Sequence, residues 1–159
     1  MSTELETMLK RQVSTWERLG HPAIIERFVL RNGRAYEPMP RIGRKMRNKE
    51  CFSNTTKFIL RQNTGTYIEG YGYNIVMPIL HAWVSIDDKA MDPTWKYPMK
   101  CQYFGVEFSE DELHHQIFKN GYFGILDGPT GINYKFIFGK DNELKEIVED
   151  IIHHKINMM

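Results

Sequence analysis

The chain has 159 residues, which suits one domain with its own core. Apolar residues make up 42% and charged residues 26%, the balance of an ordinary globular protein rather than a disordered or fibrous one. A net charge of +1 excludes a global field that would recruit nucleic acid or an anionic membrane, and two cysteines are too few for a disulfide framework.

The stretch STELETMLKRQVSTWERLG reads as a helix. Ser2 or Thr3 can cap it, Leu5, Met8, Leu9, Val13 and Trp16 recur near a 3.6-residue period, and Gly20 and Pro22 end it. AIIERFVLRNGRAYEP is predicted as a strand with a turn at Asn32-Gly33. A loop rich in Pro, Gly and basic residues follows from Pro38 to Glu50. CFSNTTKFILRQ reads as a helix with Cys51 in its first turn. TGTYIEGYGYN is predicted as a strand broken by Gly70 and Gly72, and PILHAWVSID as a second strand. Asp87-Asp88-Lys89 makes a turn, and KAMDPTW is a short third strand ending at Pro93.

QYFGVEF reads as a strand or an irregular segment. SEDELHHQIFKNG is a helix, capped by Ser109, acidic at its start and closed by Gly121. YFGILDG is a short apolar segment, NYKFIFG a strand, and DNELKEIVEDIIHHKIN an amphipathic helix. Without a long linker or a repeat, the reading is one α+β domain over 1–159.

The chemistry-bearing residues fall in the order cysteine at a helix start, histidine on a strand, aspartate on the next strand. A helix N-terminus favours negative charge, and the thiolate is the nucleophilic form of cysteine. An imidazole can take the thiol proton and return it to a leaving group. A carboxylate can fix that imidazole's tautomer. A hairpin turning at Asp87-Asp88-Lys89 would bring His81 and Asp92 together as cross-strand neighbours. Each residue also has a plainer reading: Cys51 as a small core residue, His81 as structural, Asp92-Pro93 as a strand end.

Cys51, YIEGYGY at 67–73, HAWV at 81–84 and DPT at 92–94 together resemble the transglutaminase-like branch of the papain-like cysteine fold. That resemblance implies Cys51 as nucleophile, His81 as base and Asp92 as orienting carboxylate. It implies an amide or acyl hydrolase or transferase, such as a peptidase, deamidase or acyl-transfer enzyme, and hydrolysis is the first expectation. The chain departs from the family in having Lys49 and Glu50 where a glycine usually precedes the cysteine. No glutamine lies a few residues before the cysteine to complete an oxyanion hole, so Asn48 is the preferred second donor beside the Cys51 backbone N–H, with Asn54 the alternative. Trp83 reads as packing rather than catalytic. With Trp95 and Tyr103 it completes the aromatic candidates for contact with substrate, whose walls are expected from loops 33–50 and 95–108.

No cofactor and no metal are expected, since an acidic calcium loop and zinc-ligand spacings are both missing from the sequence. His114-His115 and His153-His154 are neighbours on helices and point about 100° apart. The expected partner is a protein or peptide substrate, with a small-molecule amide as the other option. No apolar run spans a membrane, and MSTELETMLKR lacks a secretory signal, so no membrane association and a cytoplasmic location are expected. Size and style suggest a phage- or virus-encoded effector. The rival reading is a non-catalytic binding module whose basic loop 41–49 contacts an acidic partner or nucleic acid. That loop carries no aromatics for base stacking, which weighs against nucleic acid. The oligomeric state is left open by the sequence.

Overall fold

The computed structural model describes residues 2–158. Two helices open the chain, α1 (Glu4–Arg18) and α2 (Ile24–Asn32), followed by strand β1 (Arg34–Tyr36) and helix α3 (Cys51–Gln62). Strands β2 (Thr66–Tyr73), β3 (Pro78–Ile86) and β4 (Lys89–Met91) form a meander, and β5 (Gln102–Phe108) returns beside β2. Helices α4 (Glu110–Asn120), α5 (Tyr134–Lys140) and α6 (Asn142–Met158) complete the chain, with a small ribbon β6 (Asp127–Gly128) and β7 (Gly131–Ile132) between α4 and α5.

The architecture is mixed α/β around a five-stranded antiparallel sheet of order β1-β5-β2-β3-β4. The sheet curls until its edges meet. Beyond β1 the chain crosses to the opposite edge, where Met39 N–H donates to the Ala90 carbonyl at 2.9 Å and Ala90 N–H to the Glu37 carbonyl at 2.8 Å. Segment 34–39 thus touches both edges, and little strand edge is left unpaired.

Curling divides the sheet's residues into two clusters. Tyr67, Tyr71, Ala82, Val84, Phe104, Val106 and Phe108 face the helices and join Leu5, Leu9, Phe28, Val29, Phe58 and Leu126 in the main core. Tyr36, Ile68, Trp83, Ala90, Cys101 and Tyr103 fill the concave side. Glycines make the concave side habitable for large rings. A methyl at Gly105 would lie 2.7 Å from Trp83 Cη2, and one at Gly72 would lie 2.5 Å from Trp95 Cη2. Gly70 backs directly onto Gly105. Contrary to the break expected from sequence at Gly70 and Gly72, β2 is continuous, and the glycines flatten one face for the aromatics.

Two further elements differ from expectation. Residues 24–32 are helical, not extended, and Ile24, Ile25, Phe28 and Val29 point into the core at helical spacing. Residues 134–140 are also a helix, started by Asn133, whose side chain accepts from Phe136 N–H at 3.3 Å. The segment 102–108, left open between strand and irregular, is strand β5. The α4 helix carries a reciprocal cap between Ser109 and Glu112 and ends at Gly121 with positive φ.

A buried carboxylate fastens the C-terminal third to the sheet. Glu69, on the helix-facing side of β2, accepts from Tyr67 Oη at 2.5 Å, from Ile125 N–H at 2.9 Å and from Leu126 N–H at 2.7 Å. Burial raises its pKa to about 6 against the pull of these donors. At the far side, Asp141 accepts from Arg31 Nε at 2.8 Å and from Asn32 Nδ2 at 2.9 Å, and so ties α6 to α2. These donors hold its carboxyl low, at about 2.

Candidate functional site

Cys51 is the first residue of α3, and no side chain caps that helix. Its N-terminal N–H groups and dipole therefore face the thiol's surroundings. The helix start is positioned by the loop before it and by the turn after Asp92, which are bonded to each other. Met46 N–H donates to the Pro93 carbonyl at 2.8 Å, and Arg41 Nη1 to the Trp95 carbonyl at 3.0 Å. Asn54, one turn into α3, donates to the Arg47 carbonyl at 2.7 Å and to Thr94 Oγ1 at 3.0 Å. Both amide hydrogens of Asn54 are thereby engaged, so its role is to clip α3 to the 92–95 turn. Asn48 is exposed on the loop and its side-chain oxygen accepts from Lys45 Nζ.

The β3–β4 hairpin forms as expected. Ile86 pairs with Lys89, and Asp87 and Asp88 both hold positive φ, the conformation of a two-residue primed turn. Val84 pairs with Met91, so Asp92 continues opposite Trp83 rather than opposite His81. His81 and Asp92 are consequently diagonal neighbours on one face, still within reach: Nε2 of His81 lies 2.8 Å from Asp92 Oδ2.

Asp92 is fully buried and has four hydrogen-bond partners. Oδ1 accepts from the backbone N–H groups of Thr94 at 2.9 Å and Trp95 at 3.2 Å, an Asx-type turn of which Asp-Pro-Thr is the sequence trace. Oδ2 accepts from Tyr103 Oη at 2.8 Å and pairs with His81. Burial opposes the charge on Asp92, but His81 and these donors outweigh it and hold the carboxyl below its usual value. Burial likewise disfavours charge on His81. The Asp92 carboxylate, and to a lesser degree the neighbouring Cys51, more than offset this and raise the imidazole to about 9. With Nε2 engaged by Asp92, Nδ1 is the ring nitrogen left for other chemistry.

Aromatic rings wall the imidazole. Trp95 stacks on His81 with centroids 3.9 Å apart and planes 14° from parallel. Trp83 and Tyr103 lie further out, each 6.3 Å from the imidazole centroid. Of the three aromatics expected to meet substrate, two are placed otherwise. Trp83 is completely buried on the concave side, and Tyr103, 1% exposed, holds Asp92. Trp95 is half-buried and borders an open groove.

Cys51 is 7% exposed. Its neighbours Glu50 and Phe52 border a shallow surface depression with Arg47, Ser53, Lys57 and Phe123. Among the described residues no three His, Cys, Asp or Glu side chains gather as a metal site would require, and no helix is long and apolar enough to cross a membrane. Residues that the sequence reading missed are Thr94 as acceptor for Asn54 and Tyr103 as support for Asp92. Comparison with family models, curated proteins and solved structures returned no match.

Proposed function

We propose that the protein is a cysteine-dependent amide or acyl hydrolase or transferase of the transglutaminase-like, papain-like fold, with Cys51, His81 and Asp92 as its triad. The observation that carries this reading is the buried His81–Asp92 pair at 2.8 Å, set beside a thiol at an uncapped helix start. A buried ionisable pair is costly unless fully bonded, and here every oxygen of Asp92 is satisfied.

In this reading His81 takes the Cys51 proton and becomes an imidazolium stabilised by Asp92. The thiolate attacks the carbonyl carbon of an amide or ester. The carbonyl oxygen's developing charge is met by backbone N–H groups at the start of α3. His81 then protonates the leaving amine or alcohol, which departs and leaves an S-acyl enzyme. Water, or an amine, attacks the thioester carbon, gives a proton to His81, and releases the acyl group and the thiol. Asn48 is the side-chain candidate for a second oxyanion donor. The substrate is a protein or peptide amide.

The test is alkylation of Cys51 by iodoacetamide across pH, in a Cys101→Ala background, with and without His81→Ala. A thiolate–imidazolium pair gives rapid alkylation below neutral pH that slows by about tenfold or more without His81. An ordinary thiol titration, unchanged by the His81 substitution, sinks the triad and favours a binding module.

A further inference from the structure

The turn between β2 and β3 is unusual for its apolarity. Ile75, Val76 and Met77 follow one another into solvent, 72%, 79% and 54% exposed. Exposed turns ordinarily carry polar residues or glycine. Ile75 moreover holds φ at +94°, a costly conformation for a β-branched residue. Its carbonyl is fixed by the Tyr73 hydroxyl at 3.1 Å. Across from this turn, Tyr97 and Met99 are exposed on the loop that follows Asp92.

Between the two lies a cavity of about 230 Å³ bordered by Ile75, Trp95, Lys96, Tyr97 and Lys100. Trp95 belongs to both places: it walls the cavity and stacks on His81. The Trp95 ring is therefore the wall shared by the groove and the imidazole. Its charge has one sign. Lys96 and Lys100 each place Nζ 5.4 Å from the centre of the Tyr97 ring, and the lining includes no carboxylate. Arg41, bonded to the Trp95 carbonyl, adds a third cation nearby.

We propose that this groove is the substrate-binding wall of the Cys51 site, and that it selects polypeptides presenting an aliphatic side chain beside acidic residues. The inference rests on the hydrolase or transferase reading given above. The aliphatic side chain packs against Ile75, Trp95 and Tyr97, and the acidic neighbours meet Lys96 and Lys100. The aliphatic lip of Ile75, Val76 and Met77 matches an aliphatic side chain rather than a nucleobase, and the oligothymidylate probe below tests the rival in which Trp95 and Tyr97 stack bases.

The full chain carrying Cys51→Ala allows binding to be read without chemistry. The probes are fluorescein-labelled Gly-Ser-Asp-Leu-Asp-Ser-Gly, the same peptide with both Asp replaced by Lys, and a labelled twelve-residue oligothymidylate, followed by anisotropy. The acidic peptide is expected to bind about tenfold more tightly than the basic one, and Lys96→Glu with Lys100→Glu reverses that order. Ile75→Asn weakens the acidic peptide while leaving the Tm equal or higher, because Asn tolerates positive φ. Equal binding of the two peptides, an order that survives the charge reversal, or tighter binding of the oligothymidylate overturns the proposal. If the peptide order holds but the alkylation profile of Cys51 is that of an ordinary thiol, the chemistry fails and the recognition groove stands.

Discussion

Asn54 and Thr94 are joined by a buried 3.0 Å hydrogen bond, so the helix that begins at Cys51 and the turn that fixes Asp92 move as one piece. Asn54→Ala leaves the Arg47 carbonyl without its donor and removes the Thr94 contact. The expected cost is ~2–3 kcal/mol in urea unfolding, from two lost bonds at a buried position. Cys51 alkylation should slow in the same variant. An unchanged rate with lowered stability would mean that the clip supports the fold alone.

Tyr103→Phe tests the support of Asp92 with almost no change in volume. It removes one of the four partners of the carboxylate. A loss of ~1–2 kcal/mol is expected, with no cavity contribution. The pH at which alkylation begins should also move, since an Asp92 carboxylate that has lost a donor is more basic and holds the His81 proton more firmly. A stability loss without that movement would confine the Tyr103 hydroxyl to holding the fold.

Stability should depend on pH through His81. Its pKa, raised to about 9 in the fold, exceeds the 6.5 of an unperturbed imidazole. The folded chain thus binds this proton more tightly than the unfolded chain does. The resulting stabilisation is complete below about pH 6.5 and is lost as pH rises through 9, on the order of 3 kcal/mol. Urea midpoints at pH 6 and 9.5 should reveal the fall, and Asp92→Asn should flatten it. Equal slopes in the two proteins would remove the ion pair as its cause.

Gly72→Ala should dislodge Trp95, because the added methyl falls 2.5 Å from its ring and 3.2 Å from His81 Cδ2. Wild-type indole emission should be quenched while the stacked imidazole is protonated and should recover on raising the pH. In Gly72→Ala the pH-dependent part should shrink and alkylation of Cys51 should weaken. Identical fluorescence titrations would show that Trp95 and His81 keep their contact.

The site's chemistry was more legible in the sequence than its support. Cys51 at a helix start, His81 on a strand and Asp92 on the strand after a turn at Asp87-Asp88-Lys89 follow from local signals: a helical period, an apolar run, a polar turn. What sequence could not supply is curvature. Whether Trp83 and Tyr103 look outward or inward depends on the closing of the sheet through residues 34–39, a contact between elements far apart in the chain.

The misreading of 24–32 has a different cause. Ile, Val and Phe dominate that run and mimic a strand, yet Ile24 with Phe28 and Ile25 with Val29 are spaced four apart, and that spacing prevailed. Helix α5 was too short for any period to register, and only the Asn133 cap marked it.

Every hydrogen bond that fixes Asp92, His81 and Asn54 comes from residues between 47 and 103. The helices beyond 108 add Leu113, Ile137, Leu144 and Val148 to the core, and the loop between α4 and β6 donates backbone N–H groups to Glu69 at Ile125 and Leu126. Apolar positions tolerate exchange for other apolar residues of similar volume more readily than a hydrogen-bonded site does. The last third of the chain can therefore drift among apolar residues at lower cost than the middle, which stays constrained. Kinship among distant descendants of this fold would survive as one short central block, diluted in any comparison made over the whole length.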